Sequence, residues 1–268
     1  MILLIGGRGQ LGQALQNALL EGSFFLAPQA LSHWRAIYEL AEESEFDTVI
    51  NCAAWTDVRG AEFHENSAAV DLLNVSFPGA LAQICKKHDK RFITFSTDYV
   101  FNGLKGAPYY PDDRPAPINR YGASKYAGEI LALQAGALVI RTAGLFSPYG
   151  PNFVHTIFNR LRVHGFAEVT TALVTSVTSA DSLASGIPSM RNLYAPGVYH
   201  YVDSEPVTWY DVACEVAKHM EHRGQAQPIQ RTYKQDSVNR PFYSALNFSH
   251  TSWRGEVARV VGIFKART

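Results

Sequence analysis

The sequence predicts an α/β fold, built as a doubly wound parallel sheet with a smaller C-terminal lobe. Over about the first 140 residues, short apolar runs alternate with longer segments of helical spacing. The run Ile2–Ile5 is apolar at every position, which is typical of a strand buried on both faces of a parallel sheet. After Thr142 this alternation is lost, so a second and smaller unit is expected there.

Each element of the first half follows from a local pattern. Strands are expected at residues 2–5, 24–26, 48–50, 92–95 and 138–140, and helices at 10–20, 36–43, 68–87 and 121–133. In the second half, helices are expected at 153–161 and 209–220, a strand at 198–202, and turns with a short helix over 240–261. Helical crossovers between parallel strands place helices on both faces of the sheet.

Composition excludes several classes of protein. The chain has 268 residues, 47% of them hydrophobic, and its 24 basic residues balance 24 acidic ones. Such a chain is globular rather than disordered, and neither a nucleic-acid groove nor a membrane partner is expected. The N-terminus lacks the features of a signal peptide. Cys52, Cys85 and Cys214 have no metal-site spacing, so we expect reduced thiols in a cytoplasmic protein and no metal site.

The turn after the first strand is rich in glycine. Gly6, Gly9 and Gly12 form a G-x-x-G-x-x-G pattern between a strand and a helix. Glycine lets the backbone approach a pyrophosphate, and the helix N-terminus supplies N–H groups and a positive dipole. A Rossmann-type dinucleotide site is therefore predicted in residues 1–143, with a mainly substrate-binding lobe at 144–268 and later strands interleaved into the sheet. The alternative is a glycine-rich turn that binds nothing.

The end of the second strand bears on the cofactor. NAD sites usually place an acid there for the ribose 2′-hydroxyl, but residues 26–29 read Leu-Ala-Pro-Gln. Arg8 lies inside the glycine loop, where its guanidinium could pair with a 2′-phosphate. NADPH is therefore expected, with NADH less favoured, unless Arg8 is only a solvated surface residue.

Two further segments suggest carbonyl chemistry. Tyr121 and Lys125 form Y-x-x-x-K, which puts both side chains on one helix face. A neighbouring ammonium is expected to lower the phenol pKa from about 10 towards neutrality and make Tyr121 a proton donor. Thr97 and Asp98 follow a buried strand, where Thr97 could bind a substrate oxygen and Asp98 a sugar hydroxyl. The alternative for both is to cap a turn.

Together these segments resemble the dTDP-4-dehydrorhamnose reductase family of extended short-chain dehydrogenase/reductases. The likeness spans nearly the whole chain, in residues 9–12, 49–56, 61–62, 73–74, 96–103, 121–125, 141–142, 152–153, 208–210 and 240–241. It implies reduction by NADPH of the 4-keto group of a nucleotide-linked, dTDP-type 6-deoxyhexose. A homodimer is one assembly compatible with it.

The resemblance also implies roles for individual residues. Tyr121 would be the general acid, Lys125 would tune it and hold the nicotinamide ribose, Thr97 would polarise the carbonyl, and Asn74 would help a proton relay. The expected cofactor-binding residues are Gly6, Arg8, Gly9, Gln10, Leu11, Gly12, Cys52, Ala53, Ala54 and Lys125. The expected substrate residues are Val58, Thr97, Asp98, Gly144 and Arg240.

The chain departs from the family pattern around the sugar. Gly144 stands where an aromatic residue is usual, Leu173 and Thr175 belong to an altered segment, and Tyr243 replaces an Asn. Ala14 stands where some family dimers carry a metal-binding glutamate. The sugar is therefore left open. A nucleotide-sugar epimerase and a non-catalytic NADP-binding regulatory subunit are the alternative functions.

Overall fold

A six-stranded parallel sheet forms the centre of the molecule. The computed structural model describes residues 1–20, 22–220, 225–229, 238–247 and 253–267. Its strands are β1 (Ile2–Ile5), β2 (Phe24–Leu26), β3 (Thr48–Asn51), β4 (Arg91–Thr97), β5 (Leu138–Thr142), β6 (Leu145–Phe146), β7 (Phe166–Thr170), β8 (Val174–Thr175), β9 (Thr178–Ser179), β10 (Gly197–His200), β11 (Val207–Thr208) and β12 (Gln225–Ile229). The central sheet has the order β2-β1-β3-β4-β5-β10, and all its neighbours are parallel. The predicted doubly wound α/β fold is confirmed.

Helices cover both faces of this sheet. They are α1 (Gln10–Ala18), α2 (Ala30–Glu42), α3 (Ser67–Asp71), α4 (Phe77–Lys87), α5 (Arg120–Gln134), α6 (Phe153–His164), α7 (Ala180–Leu193), α8 (Trp209–Lys218) and α9 (Trp253–Ala266). Leu3 and Ile5 point into a core shared with α2, α4 and α5, while Ile2 and Leu4 pack against α1 and α7. Successive strand residues alternate between faces, so a wholly apolar strand serves two cores at once.

One helical run has the length and the apolar composition of a membrane-spanning segment. The 24 residues His64–Lys87 are apolar and long enough to cross a membrane, and half of the most apolar window is buried inside the protein. Phe77, Leu81 and Cys85 on this run pack into the core under the sheet. The apolar residues of this run therefore serve the packing of the fold.

The second half of the chain builds its own core beside the sheet. Helices α6, α8 and α9 bury Phe158, Val216 and Val260 against one another, together with Phe146. The chain nevertheless returns to the central sheet, because β10 pairs with β5. The division of the chain at residue 143 stays a prediction, with β10 as the strand that crosses it.

Candidate active site

The glycine loop lies where the order of strands in the sheet reverses. β2 pairs with one side of β1, and β3 pairs with the other side. In open α/β sheets, ligands bind at the point where the strand order reverses in this way. Gly6 has a φ of +79°, and a Cβ there would lie 2.5 Å from the backbone nitrogen of Ala53. Only glycine fits here, because the loop after β1 packs directly on the loop after β3.

A large cleft opens from this point along the carboxyl ends of the strands. Its volume is about 980 Å³, near the upper end of the usual range for ligand sites. The lining includes these predicted residues: Gly6, Arg8, Gly9, Gln10, Leu11, Cys52, Ala53, Ala54, Val58, Thr97, Asp98, Tyr121, Lys125, Gly144 and Thr175. Gly12, Asn74, Leu173, Arg240 and Tyr243 are not part of that lining.

The cleft has features that fit a dinucleotide. The N-terminus of α1 opens onto it at Gly9 and has no side-chain cap, so its N–H groups face the cleft without a hydroxyl or carboxyl partner. The Ser96 hydroxyl, buried in the lining, has no hydrogen-bond partner among the described residues. Both observations fit a polar ligand with acceptor groups, such as a nicotinamide dinucleotide.

Thr97, Tyr121 and Lys125 all line the cleft, and Thr97 is hydrogen-bonded to Tyr121. Thr97 ends β4, and its Oγ1 accepts a hydrogen bond from the Tyr99 backbone N–H at 3.2 Å. Tyr121 stands in the first turn of α5, which Asn119 caps by accepting from the Gly122 N–H at 2.7 Å. Lys125 follows one helical turn later on the same face. The strand end and the helix start together fix the three side chains.

The predicted effect of Lys125 on Tyr121 is wrong for this structure. Burial raises the pKa of the Tyr121 phenol above its ordinary value, and the nearby Asp98 and Tyr99 raise it further. Only the hydrogen bond with Thr97 opposes them. The expectation considered one neighbouring charge and left out desolvation, which disfavours the ionised phenol.

Lys125 is itself buried. Burial lowers the pKa of its ammonium to about 8, although Glu129 and Cys52 act in the opposite direction. Glu129 is engaged in a buried ion pair, in which the Arg141 Nε and Nη2 atoms donate to its two carboxylate oxygens at 3.0 and 2.8 Å. Lys125 is therefore mostly charged at neutral pH, within a dry surrounding that strengthens its attraction for an anion.

Asp98 lines the cleft, but its carboxylate is hydrogen-bonded to other side chains of the protein. Its carboxylate accepts hydrogen bonds from the hydroxyls of Thr97, Thr175 and Ser244. Burial raises the pKa of this carboxyl to about 6, against the lowering effect of these hydrogen bonds. A contact with a sugar hydroxyl stays a prediction.

Asn74 is held for a different purpose than the predicted relay suggests. It lies in a π-helical turn, Leu72–Ser76, and is buried. Its Oδ1 accepts from the Trp55 backbone N–H at 2.9 Å, and its Nδ2 donates to the Trp55 carbonyl and to the Ser124 hydroxyl. The side chain thus pins the loop after β3 to α5, and the relay stays a prediction.

Arg240 lies behind the cleft instead of lining it. Its Nη1 donates to the Tyr99 hydroxyl at 3.1 Å, and the Tyr99 ring meets the Tyr121 ring edge-on at 6.0 Å. The chain after Arg240 turns back onto β8. A direct contact of Arg240 with the substrate stays a prediction.

Gly144 is present in the lining for a backbone reason. Its φ is +50°, and a Cβ there would lie 2.6 Å from the Ser176 carbonyl oxygen. An aromatic side chain does not fit on this backbone. Gly144 is therefore not simply a position at which an aromatic side chain of the cleft lining has been removed. Trp209, which starts α8, lines the same cleft, and its ring packs at a tilt against Phe153 with the ring centroids 4.5 Å apart.

Sequence reasoning missed a further part of the lining. These residues are Thr56, Phe95, Ser96, Tyr99, Thr142 and Asn152. Asn152 could have been found as the cap of α6, because its Oδ1 accepts from the His155 N–H at 3.0 Å. Its Nδ2 also donates to Oε1 of Gln10 at 3.1 Å, which joins the glycine loop to the second lobe.

Comparison with known proteins gives a consistent result. A family model described as the RmlD substrate binding domain matches residues 1–260. The chain is 34% identical to a probable dTDP-4,6-dihydroxy-2-methyloxan-3-one 4-ketoreductase of Streptomyces antibioticus, over 94% of this chain and 88% of the relative. It is 36% identical to a dTDP-4-dehydrorhamnose reductase of Mycobacterium tuberculosis, over 77% and 70%.

A solved structure agrees over the full length. The dTDP-4-dehydrorhamnose reductase of Bacillus anthracis in complex with NADP superimposes with a TM-score of 0.88 at 25% identity, covering 100% of this chain and 99% of the other.

Proposed function

This chain belongs to the RmlD substrate binding domain family, and from that membership we propose how its cleft works as a nucleotide-sugar ketoreductase. The reaction is the reduction of the keto group of a dTDP-linked deoxysugar with NADPH, the activity class of its named relatives. The observation that carries this function is the presence of Thr97, Tyr121 and Lys125 in the lining of the cleft that begins at the glycine loop.

The chain's own residues divide the work between binding and proton transfer. NADPH, when bound, supplies the hydride. The α1 N-terminus and Lys125 would hold its phosphates and ribose, and exposed Arg8 would reach a 2′-phosphate. Tyr121, kept protonated by burial, would give its proton to the sugar oxygen, while Thr97 would hold the Tyr121 phenol in place. Trp209 would form the aromatic wall of the sugar site in the space next to Gly144.

The site assignment is tested by Tyr121→Phe, with Tyr126→Phe as the matched control on the same helix but outside the cleft lining. Turnover is followed as NADPH oxidation with a dTDP-linked 4-keto sugar. We expect Tyr121→Phe to bind NADPH normally and to lose about a hundred- to ten-thousand-fold in kcat, because general acid catalysis is worth that much. Full activity of Tyr121→Phe would refute the acid role, and an epimerase would interconvert sugars without consuming NADPH.

The setting of the enzyme is also a proposal. Cys52, Cys85 and Cys214 are free thiols, which supports a cytoplasmic location. A homodimer without nucleic-acid or membrane partners is the assembly we propose, and light scattering of the purified protein measures its mass directly.

A further inference from the structure

A buried carboxylate beside the reaction centre collects three hydroxyl groups from separate parts of the chain. Thr97 Oγ1 donates to Asp98 Oδ1 at 3.0 Å. Ser244 Oγ donates to Asp98 Oδ2 at 2.5 Å. Thr175 Oγ1 lies 3.2 Å from the same oxygen and shares its proton between Asp98 and the Ser176 carbonyl, which is 3.1 Å away. Asp98 has only 4% of its surface exposed, so these hydroxyls replace water around it. The carboxylate is thereby held in one orientation, with one oxygen reserved for Thr97.

The two outer donors lie on neighbouring stretches of backbone that are hydrogen-bonded to each other. Thr175 lies on β8, and Ser244 lies on the stretch that runs beside it. The Val174 N–H donates to the Phe242 carbonyl, and the Ser244 N–H donates to the Val174 carbonyl, each at 2.8 Å. Both donors belong to the second half of the chain, whereas Thr97 and Asp98 end a strand of the central sheet. The second lobe therefore reaches the reaction centre through these two hydroxyls.

The orientation of Asp98 decides what Thr97 can do. The Thr97 hydroxyl donates its proton to Asp98, and its oxygen accepts from the Tyr99 backbone N–H. The same hydroxyl lies within hydrogen-bond reach of the Tyr121 phenol. If Asp98 turned, the Thr97 hydroxyl would lose the acceptor that fixes its direction. The position of the neighbouring Tyr121 hydroxyl would then be less well fixed, and a misplaced proton donor transfers its proton less effectively.

We propose that Thr175 and Ser244 are positioning residues for the reduction, which hold Asp98 so that Thr97 stays aligned beside Tyr121. This inference rests on the proposed function of the same site. Thr175 lies in the segment that departs from the family pattern, so this chain supplies one of its two outer donors from an altered sequence.

Other ionisable groups also face this carboxylate. Tyr121 approaches from α5, and Tyr99 lies on the same turn as Asp98 with Arg240 donating to its hydroxyl. These groups stay in place when Thr175 or Ser244 is changed. Loss of one hydroxyl removes a hydrogen bond to the charged form of Asp98, and this raises its pKa further above about 6. If the reaction requires ionised Asp98, the variant should lose activity at a higher pH than wild type does when the pH is lowered.

The experiment compares Thr175→Val, Ser244→Ala and Thr175→Ser with wild type. Ser176→Ala is the matched control, because its buried hydroxyl bonds the same junction through Leu246 without contacting Asp98. Rates are measured with NADPH and a dTDP-linked 4-keto sugar across the pH range, together with NADPH affinity and thermal unfolding. We expect Thr175→Val and Ser244→Ala to lower kcat about tenfold at unchanged NADPH affinity. The acid limb of their kcat/KM profile should move to higher pH, whereas Thr175→Ser and Ser176→Ala should keep the wild-type profile.

Two results would overturn the inference. In the first, the acid limb of the kcat/KM profile stays at its wild-type pH in both Thr175→Val and Ser244→Ala. In the second, the acid limb shifts by the same amount in the control Ser176→Ala. Carbon NMR of labelled aspartate in wild type and Thr175→Val gives a second readout that needs no turnover. If wild type is inactive, the proposed function fails, but the inference is still decided by whether the Asp98 titration moves to higher pH in Thr175→Val.

Discussion

The Tyr121 phenol and the Lys125 ammonium lie one turn apart on α5, and burial moves their pKa values in opposite directions. The Tyr121 pKa is raised, and the Lys125 pKa is lowered to about 8. Both groups therefore keep their protons at neutral pH. A protonated phenol is the form that a proton donor needs, and a protonated amine is the form that binds an anionic cofactor. The pair is suited to reduction before any ligand arrives.

We expect NADPH affinity to depend on pH through Lys125. The pKa of this ammonium is depressed in the free protein, so its charge is present below pH 8 and is lost as the pH rises through that value. An anionic cofactor favours the charged form, and its dissociation constant should rise about tenfold from about pH 7 to about pH 9. Fluorescence titration of NADPH measures this change.

Lys125→Arg is the control for that dependence, because a guanidinium stays charged over the whole range. Its affinity should change much less with pH, whatever its absolute value. A wild-type affinity that stays constant across this range, or a decline of equal size in Lys125→Arg, would rule out the assigned role of Lys125.

Among the elements, the bend between β5 and β6 shapes the side of the cleft where we propose that the sugar binds. Gly144 lies in this bend with a positive φ, packed against the carbonyl of Ser176. The bend brings Ala143 and Leu145 to the cleft and leaves Trp209 to approach from α8. Gly144 is therefore required by the backbone conformation of this bend, which the sequence alone does not reveal.

The crowding at Gly144 leads to a stability prediction. Gly144→Ala and Gly150→Ala both place a side chain at a positive φ, which costs about 1–2 kcal/mol. A Cβ at Gly150 meets open space, whereas one at Gly144 meets backbone at 2.6 Å. Gly144→Ala should therefore reduce the free energy of unfolding by at least about 1 kcal/mol more than Gly150→Ala. Denaturant unfolding measures this difference. Equal losses of unfolding free energy in the two variants would show that the bend accommodates a Cβ at position 144 without additional cost.

At the scale of the whole molecule, the nucleotide half was more predictable than the sugar half. Ile2–Ile5, the glycine loop and Tyr121 with Lys125 are local patterns, and a parallel sheet brings the ends of its strands to one edge by geometry. Thr175 and Ser244 lie in no recognisable motif, and Trp209 lies in a segment shared with the family that does not by itself show that its ring lines the cleft. Their positions depend on how the second lobe packs, which no spacing in the sequence encodes.

The same distinction explains the charge state of Tyr121 and the position of Arg240. The Tyr121 pKa depends on burial by the folded chain, and Arg240 reaches Tyr99 because the chain after it turns back onto β8. Both are consequences of tertiary packing. The motifs identified which residues line the cleft together, whereas the folded structure is needed to know their charge states and neighbours.

The central claim is that hydride passes from NADPH to the keto carbon of a nucleotide-linked sugar bound in this cleft. The most direct measurement uses NADPH carrying deuterium at the transferable position, with a dTDP-linked 4-keto sugar and mass spectrometry of the product. Our account predicts a reduced sugar that carries one deuterium on C4, formed in equal amount to the oxidised cofactor and greatly diminished in Tyr121→Phe. A product without deuterium, or an epimerised sugar with the cofactor left unchanged, would contradict it.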